Sequence, residues 1–169
     1  MTVTALTCGV DQPFVYDRFV RVLFAEDIAD ISDVTREEIN TAVDTTEAYC
    51  LTGIDGWEAD SAIITDPNWG VFLAQRPGQV SVRAAVLQYA ALPSGMDVRA
   101  LLARGVRGYI LILPAGDEPG TVMNVYPVWV AKVFQLQRLG GPSGGGGALV
   151  QVNCAIRRTV AENVIVPGF

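Results

Sequence analysis

Three groups of side chains carry the residue types that chemistry uses. Asp27, Asp30 and Asp33 recur every third residue, Asp55, Glu58 and Asp60 gather carboxylates, and Cys8, Cys50 and Cys154 supply thiols. Calcium loops place ligands at every second position around a glycine, so the spacing of three reads as a solvated loop. Glu58 and Asp60 share one face of a strand, as a paired-carboxylate site requires, yet no concave apolar surround accompanies them. The cysteines are odd in number, far apart and without CxxC spacing, which favours buried free thiols over a disulfide or metal site. Histidine is absent. That removes Ser-His-Asp and Cys-His arrangements, imidazole ligands and the usual general base near neutral pH. The run GGPSGGGG at 140–147 lacks the Lys-Ser or Lys-Thr of a phosphate loop and opens into a strand. The residues point to no catalytic group, cofactor or metal, and the basic residues are too dispersed for a nucleic-acid platform.

Elements that could position such groups follow from composition and periodicity. The chain has 169 residues, half of them apolar and 18% charged, which suits one domain with a real core. No apolar run reaches the roughly 18 to 20 residues that span a bilayer. MTVTALTCGVDQ has neither a basic start nor an apolar core, so no secretory signal is expected and folding in a cytoplasm is. The net charge of −6 is unevenly divided: residues 1–66 hold fourteen of eighteen acids and three of twelve bases. Such a chain can offer opposite faces to its own copies, or simply solvate two surfaces.

Residues 1–17 read as an arm. RFVRVLFAED alternates as a strand, and Thr35 with Glu38 has the form of a capping box opening a helix over about 36–42. EAYCLTGIDGWEADSAIITD reads as two strands about a turn at Asp55-Gly56, and GVFLAQRPGQVSVRAAVLQYAAL as two strands about Pro77-Gly78. Residues 97–104 read as the clearest helix, closed by Gly105. GVRGYILILPAGDEPGTVMNVYPVWVAKVFQLQRL reads as two long strands apolar on both faces, with Pro127 marking a bulge or an edge. In ALVQVNCAIRR, Val150, Val152 and Cys154 face inward and Gln151, Asn153 and Arg157 outward. TVAENVIVPGF reads as an apolar arm without a partner in its own chain. The fold class is mainly β, a two-sheet sandwich with one or two short helices and arms at both ends. The domain limits are 1–17 for the first arm, 18–158 for the sandwich and 159–169 for the second arm.

Several of these stretches, in order, resemble the major tail tube proteins of long-tailed, siphovirus-type bacteriophages of actinobacteria. VTREEINTAVDTT carries Thr35, Glu38, Ile39 and Asn40 at the family's motif positions. DVRALLARGVRGYILILPAGDEPGTVMNVYPVWV carries Asp97, Leu101, Leu102, Gly108, Tyr109, Gly116, Asp117, Gly120 and Pro127. RPGQVSVRAAVLQYA and AIRRTVAENVIVP agree more loosely. The chain departs from the pattern at Val34, where the family carries a proline, and in a longer amino-terminal arm.

The resemblance implies a non-enzymatic virion protein, assembled in the host cytoplasm, whose hexameric rings stack into a hollow tube. Its sheets join those of neighbours, so a long strand can bury one face on the core and one on another subunit. Implied partners are further copies, a tape-measure protein, double-stranded DNA bound without sequence specificity, and tail terminator and distal tail proteins; no membrane and no cofactor are implied. Expected subunit-interface residues are Thr35 and Glu38, Asp30 and Asp33 in ring stacking, Trp129 as an anchor, and Val164, Ile165, Val166 and Phe169 of the carboxy-terminal arm. Stacking is expected to join the acidic loop to Arg99, Arg104 and Arg107 at the opposite end of the ring. Rival readings are a contractile-tail or secretion-type tube subunit, and a virion decoration or ligand-binding β-barrel module.

Overall fold

The computed structural model describes residues 20–66, 74–82, 85–91, 97–137 and 148–169. In chain order the elements are β1 (Arg21–Ala25), α1 (Arg36–Thr41), β2 (Val43–Asp44), α2 (Thr45–Ala48), β3 (Leu51–Asp55), β4 (Ala59–Asp66), β5 (Ala74–Val82), β6 (Ala85–Ala90), a 3₁₀ turn (Val98–Ala100), β7 (Arg107–Leu113), β8 (Val122–Gln137), β9 (Ala148–Ile156) and β10 (Ala161–Ile165). Both the glycine run 140–147 and Trp69 lie outside the described residues.

The expected two stacked sheets are instead one antiparallel sheet, in the order β2-β1-β7-β8-β9-β6-β3 with β10 added on β8, plus a separate β4-β5 ribbon. β1 and β6 stand four places apart, about 19 Å in a flat sheet. Yet the Tyr89 hydroxyl of β6 donates to Thr45 Oγ1 at 3.2 Å, and Thr45 Oγ1 donates to the Val22 carbonyl of β1 at 2.8 Å. That bridge requires the sheet to roll. Its concave face encloses one core of Val22, Phe24, Leu87, Tyr89, Ile110, Val128, Val150 and Val152, stoppered by Trp57, Val98 and Leu102. Burial raises the Tyr89 phenol well above its usual range, so it stays a neutral donor.

Alternation along β7 sends Ile110 and Ile112 to this core, and Tyr109, Leu111 and Leu113 to a second core on the convex face. The second core is covered by Ile28 and Val34 of the loop after β1, Ile39 of α1, and Val164 and Val166 at the chain's end. The strands apolar on both faces are therefore double-sided within one subunit over this half.

Several local expectations are corrected. The helix over 97–104 shrinks to the 3₁₀ turn, because the Gly105 N–H donates to the Val130 carbonyl at 2.8 Å and draws the chain into the sheet. β5 runs through Pro77-Gly78 to Val82, and β6 begins at Ala85. Asp55 to Asp60 is no hairpin, since β3 pairs with β6 and β4 with β5. Pro127 sits at neither bulge nor edge. It lies where β8 changes neighbours, between the last β10 pair at Val125 and the first β9 pair at Val128, so its missing N–H removes no ladder bond on that side. Cys154 is a buried free thiol pushed up to about 12 by burial, whereas Cys50, expected as a free thiol, is disulfide-bonded.

The carboxy-terminal segment, expected to lack a partner in its own chain, forms β10 against β8, and the Val166 N–H donates to the Thr121 carbonyl at 2.8 Å. Period-two alternation puts Val164 and Val166 on the subunit's own core and leaves Ile165 outside.

Candidate subunit interface

The convex face has two halves that the same strands build differently. In the covered half, the Glu38 carboxylate holds α1 and the preceding loop together. It accepts from the N–H of Ala29 at 2.7 Å, and from the N–H and hydroxyl of Thr35 at 2.8 Å each, while the Thr35 hydroxyl accepts the Glu38 N–H at 3.3 Å. These N–H groups, Ala29 first and then Thr35, lower the Glu38 pKa from its ordinary value. Thr35 and Glu38 are thus clamps within the subunit, the capping box read from the sequence.

Arg36 is a second clamp that the sequence reading missed. Its guanidinium donates to Asp117 Oδ1 and to the Pro167 carbonyl, each at 2.6 Å, and lies 4.4 Å from the Phe169 ring centroid. An arginine in the first turn of a helix opposes the helix dipole, and that unfavourable placement is the local sign that something else holds it.

At the boundary, the guanidinium groups of Arg157 and Arg158 stand 5.7 and 5.8 Å from the Tyr109 ring centroid. Beyond it no described element covers the convex face. β7 ends on β8 at the Arg107–Trp129 pair, and the tail of β8 runs on to Gln137 with β9 alone as a described neighbour. A bulge at Ala131 resets the alternation, so that Val133 packs on the concave core and Lys132, Phe134 and Leu136 face outward. Their register partners on β9 are Asn153, Gln151 and Leu149, and across β6 stand Val86, Gln88 and Ala90. The middle of this half is an amide surface, with Gln151 Nε2 donating to Asn153 Oδ1 at 3.0 Å. Arg107 lies 4.5 Å from the Trp129 ring centroid and Lys132 lies 4.6 Å from that of Phe134.

The expected interface residues therefore divide. Val164 and Val166 are consumed by their own core, whereas Trp129, Ile165 and Phe169 are exposed. Asp30 and Asp33 lie on an exposed turn, in which Asp30 accepts the Ser32 N–H at 2.8 Å. Glu26 and Asp27 line a cleft of about 290 Å³ together with Phe24, Ala25, residues 41–43 and Leu101. Leu101 belongs to the segment that carries Arg99 and Arg104, so Glu26 and Asp27 stand beside that segment. Arg99 is also engaged at home, 2.7 Å from Asp97.

The model of the phage tail tube protein family matches residues 11–168. The chain belongs to the phage tail tube protein family. Members of this family are structural tail proteins. No curated protein matches the sequence. Among solved structures, the sheath/tube terminator of an extracellular contractile injection system (PVC) in its extended state matches with a TM-score of 0.57 at 9% identity, over 90% of this chain and 99% of that one. A chain of the PVC sheath-tube complex gives 0.54 at 12% identity over 97% and 100%. One from the tube-terminating cap of the anti-feeding prophage gives 0.51 at 14% over 94% and 99%. At these identities the likeness carries the fold, a tail-tube fold.

Proposed function

We propose that this chain is the structural subunit of the tail tube of a siphovirus-type phage of an actinobacterial host. Six copies close into a ring, and the rings stack into a tube that conducts double-stranded DNA. The carrying observation is the half-covered sheet: β8 tail, β9, β6 and β3 form a four-strand surface with one face on the core and no described cover on the other. In a ring, that uncovered face lines the channel. Duplex DNA presents a charge about every 1.7 Å of axis, and a strongly basic wall would hold it. Gln88, Gln151 and Asn153 offer hydrogen bonds without charge, which permits sliding. The siphovirus-type and actinobacterial assignment rests on the motif resemblance around Thr35–Asn40 and Asp97–Pro127.

The β4-β5 ribbon supports self-assembly, because a two-stranded ribbon is marginal alone and no other described element packs on it substantially. Asp30 and Asp33 on their exposed turn join ring to ring; each such surface pair contributes about 0 to 1 kcal/mol and weakens with salt. Tape-measure protein and DNA occupy the lumen, and terminator and distal tail proteins meet the ends. Negative-stain imaging of the purified protein tests the reading. Six-fold rings or hollow tubes are expected, and a protein that stays monomeric at every concentration contradicts it.

A further inference from the structure

The uncovered half of the sheet ends in two open backbone edges that match. On one side β3 pairs only with β6 among the described residues, and on the other the β8 tail from Lys132 to Gln137 pairs only with β9. β2, at the covered end, is two residues long and too short to compete. Open edges with exposed apolar neighbours such as Leu136 recruit a further strand.

Resting on the tube reading, we propose that β3 of one copy adds to the β8 tail of the next copy, antiparallel, with Asp55 opposite Lys132, Ile54 opposite Val133 and Gly53 opposite Phe134. Strand direction comes first. Successive antiparallel pairs make β3 run opposite to β8 within a subunit. Rotation about a ring axis keeps each strand's sense along that axis, so the contact between copies is antiparallel too. The faces then decide the register. Ile54 and Val133 both pack on the concave core, and only registers that join like faces continue that core across the boundary.

Among such registers, this one sets the exposed carboxylate of Asp55 against the chain's sole lysine, and opposite charges directly across a strand pair are favourable. The bulge in β3 falls at Thr52, so the regular stretch from Gly53 to Asp55 is the part that sets the match. The two edges are different surfaces of one molecule. The contact is therefore head-to-tail, which closes into a ring when the rotation allows.

Paired cysteines and a charge swap test it. The variant Asp55→Cys with Lys132→Cys, mildly oxidised, is expected to give a ladder of covalent multimers on denaturing gels. Asp55→Cys with Val133→Cys places the thiols on opposite faces and is expected to give none, because the Cβ vectors diverge. Lys132→Glu is expected to raise the concentration for half assembly about tenfold, and Asp55→Lys with Lys132→Glu to restore it. Wild-type rings together with no ladder, equal ladders from both cysteine pairs, or indifference to Lys132→Glu would overturn this register while leaving the tube reading intact. Absence of any wild-type ring would overturn both.

Discussion

The covered and uncovered halves of the convex face are built by overlapping strands with the same alternation. In the covered half the outward residues are Leu23, Leu111, Leu113, Met123 and Val125, and the chain brings its own lid. In the uncovered half the middle outward residues of β6 and β9, Gln88, Gln151 and Asn153, are amides flanked by Val86, Ala90 and Leu149, and the lid is missing among the described residues. Where outward positions are apolar and covered, the subunit completes itself. Where they are polar beside open backbone edges, the proposed ring supplies the neighbour. β8 is long because it serves both halves, and Pro127 marks the point where it passes from one to the other.

Substitutions sharpen this division. Leu111→Ala, in the covered half, is expected to cost about 2 to 5 kcal/mol of subunit stability, whereas Gln151→Ala in the uncovered half should stay within about 0.5 kcal/mol. Urea unfolding of the unassembled protein reads both, and equal costs would erase the distinction.

Gly108→Ala is expected to cost about 1 to 3 kcal/mol by overpacking. A Cβ there would lie 2.5 Å from the Phe24 ring and 2.6 Å from the Ala25 carbonyl oxygen, and the backbone contact has no soft neighbour to yield. Thermal melts measure it, and an unchanged midpoint would show that β1 and β7 pack more loosely than described.

Thr35→Ala removes the helix cap in the covered half and is expected to cost about 1 kcal/mol. The proposed ring should still form from this variant, since the cap is internal to the subunit.

A pH series separates the clamp at Glu38 from bulk acid effects. Its folded pKa is depressed, so the carboxylate's contribution is full above the unfolded value of about 4.3 and is lost as pH falls through the folded value. Glu38→Gln should therefore be less stable than wild type at neutral pH, with the gap closing in acid. A gap constant from pH 7 to 3 would show that the charge is irrelevant.

Much of the covered half was legible in the sequence, because its signals are local. The capping box at Thr35 and Glu38 and the alternation of RVLFA need only neighbouring residues, as does the alternation of ALVQVNCAI in the uncovered half. Contacts between distant segments were not legible. Nothing near Thr45 and Thr46 tells that their hydroxyls bond the backbone of Val22, so the strand read from Glu47 onward begins where α2 still runs. The return of β10 to β8 and the Arg36 clamp to Asp117 and Pro167 likewise depend on where three remote segments meet. Pro127 misled for the same reason, since its tolerance depends on which strand stands beside it. The uncovered face was invisible because amide residues on a strand look alike whether they face solvent, a channel or a neighbour.

Amide hydrogen exchange, compared between assembled and dissociated protein, tests the division most directly. Assembly is expected to add protection at β3 and at residues 132–137, the open edges of the uncovered half, and to leave β1, β7 and β10 as they were. Protection gained mainly in α1 and β10, with β3 and the β8 tail unchanged, would contradict it.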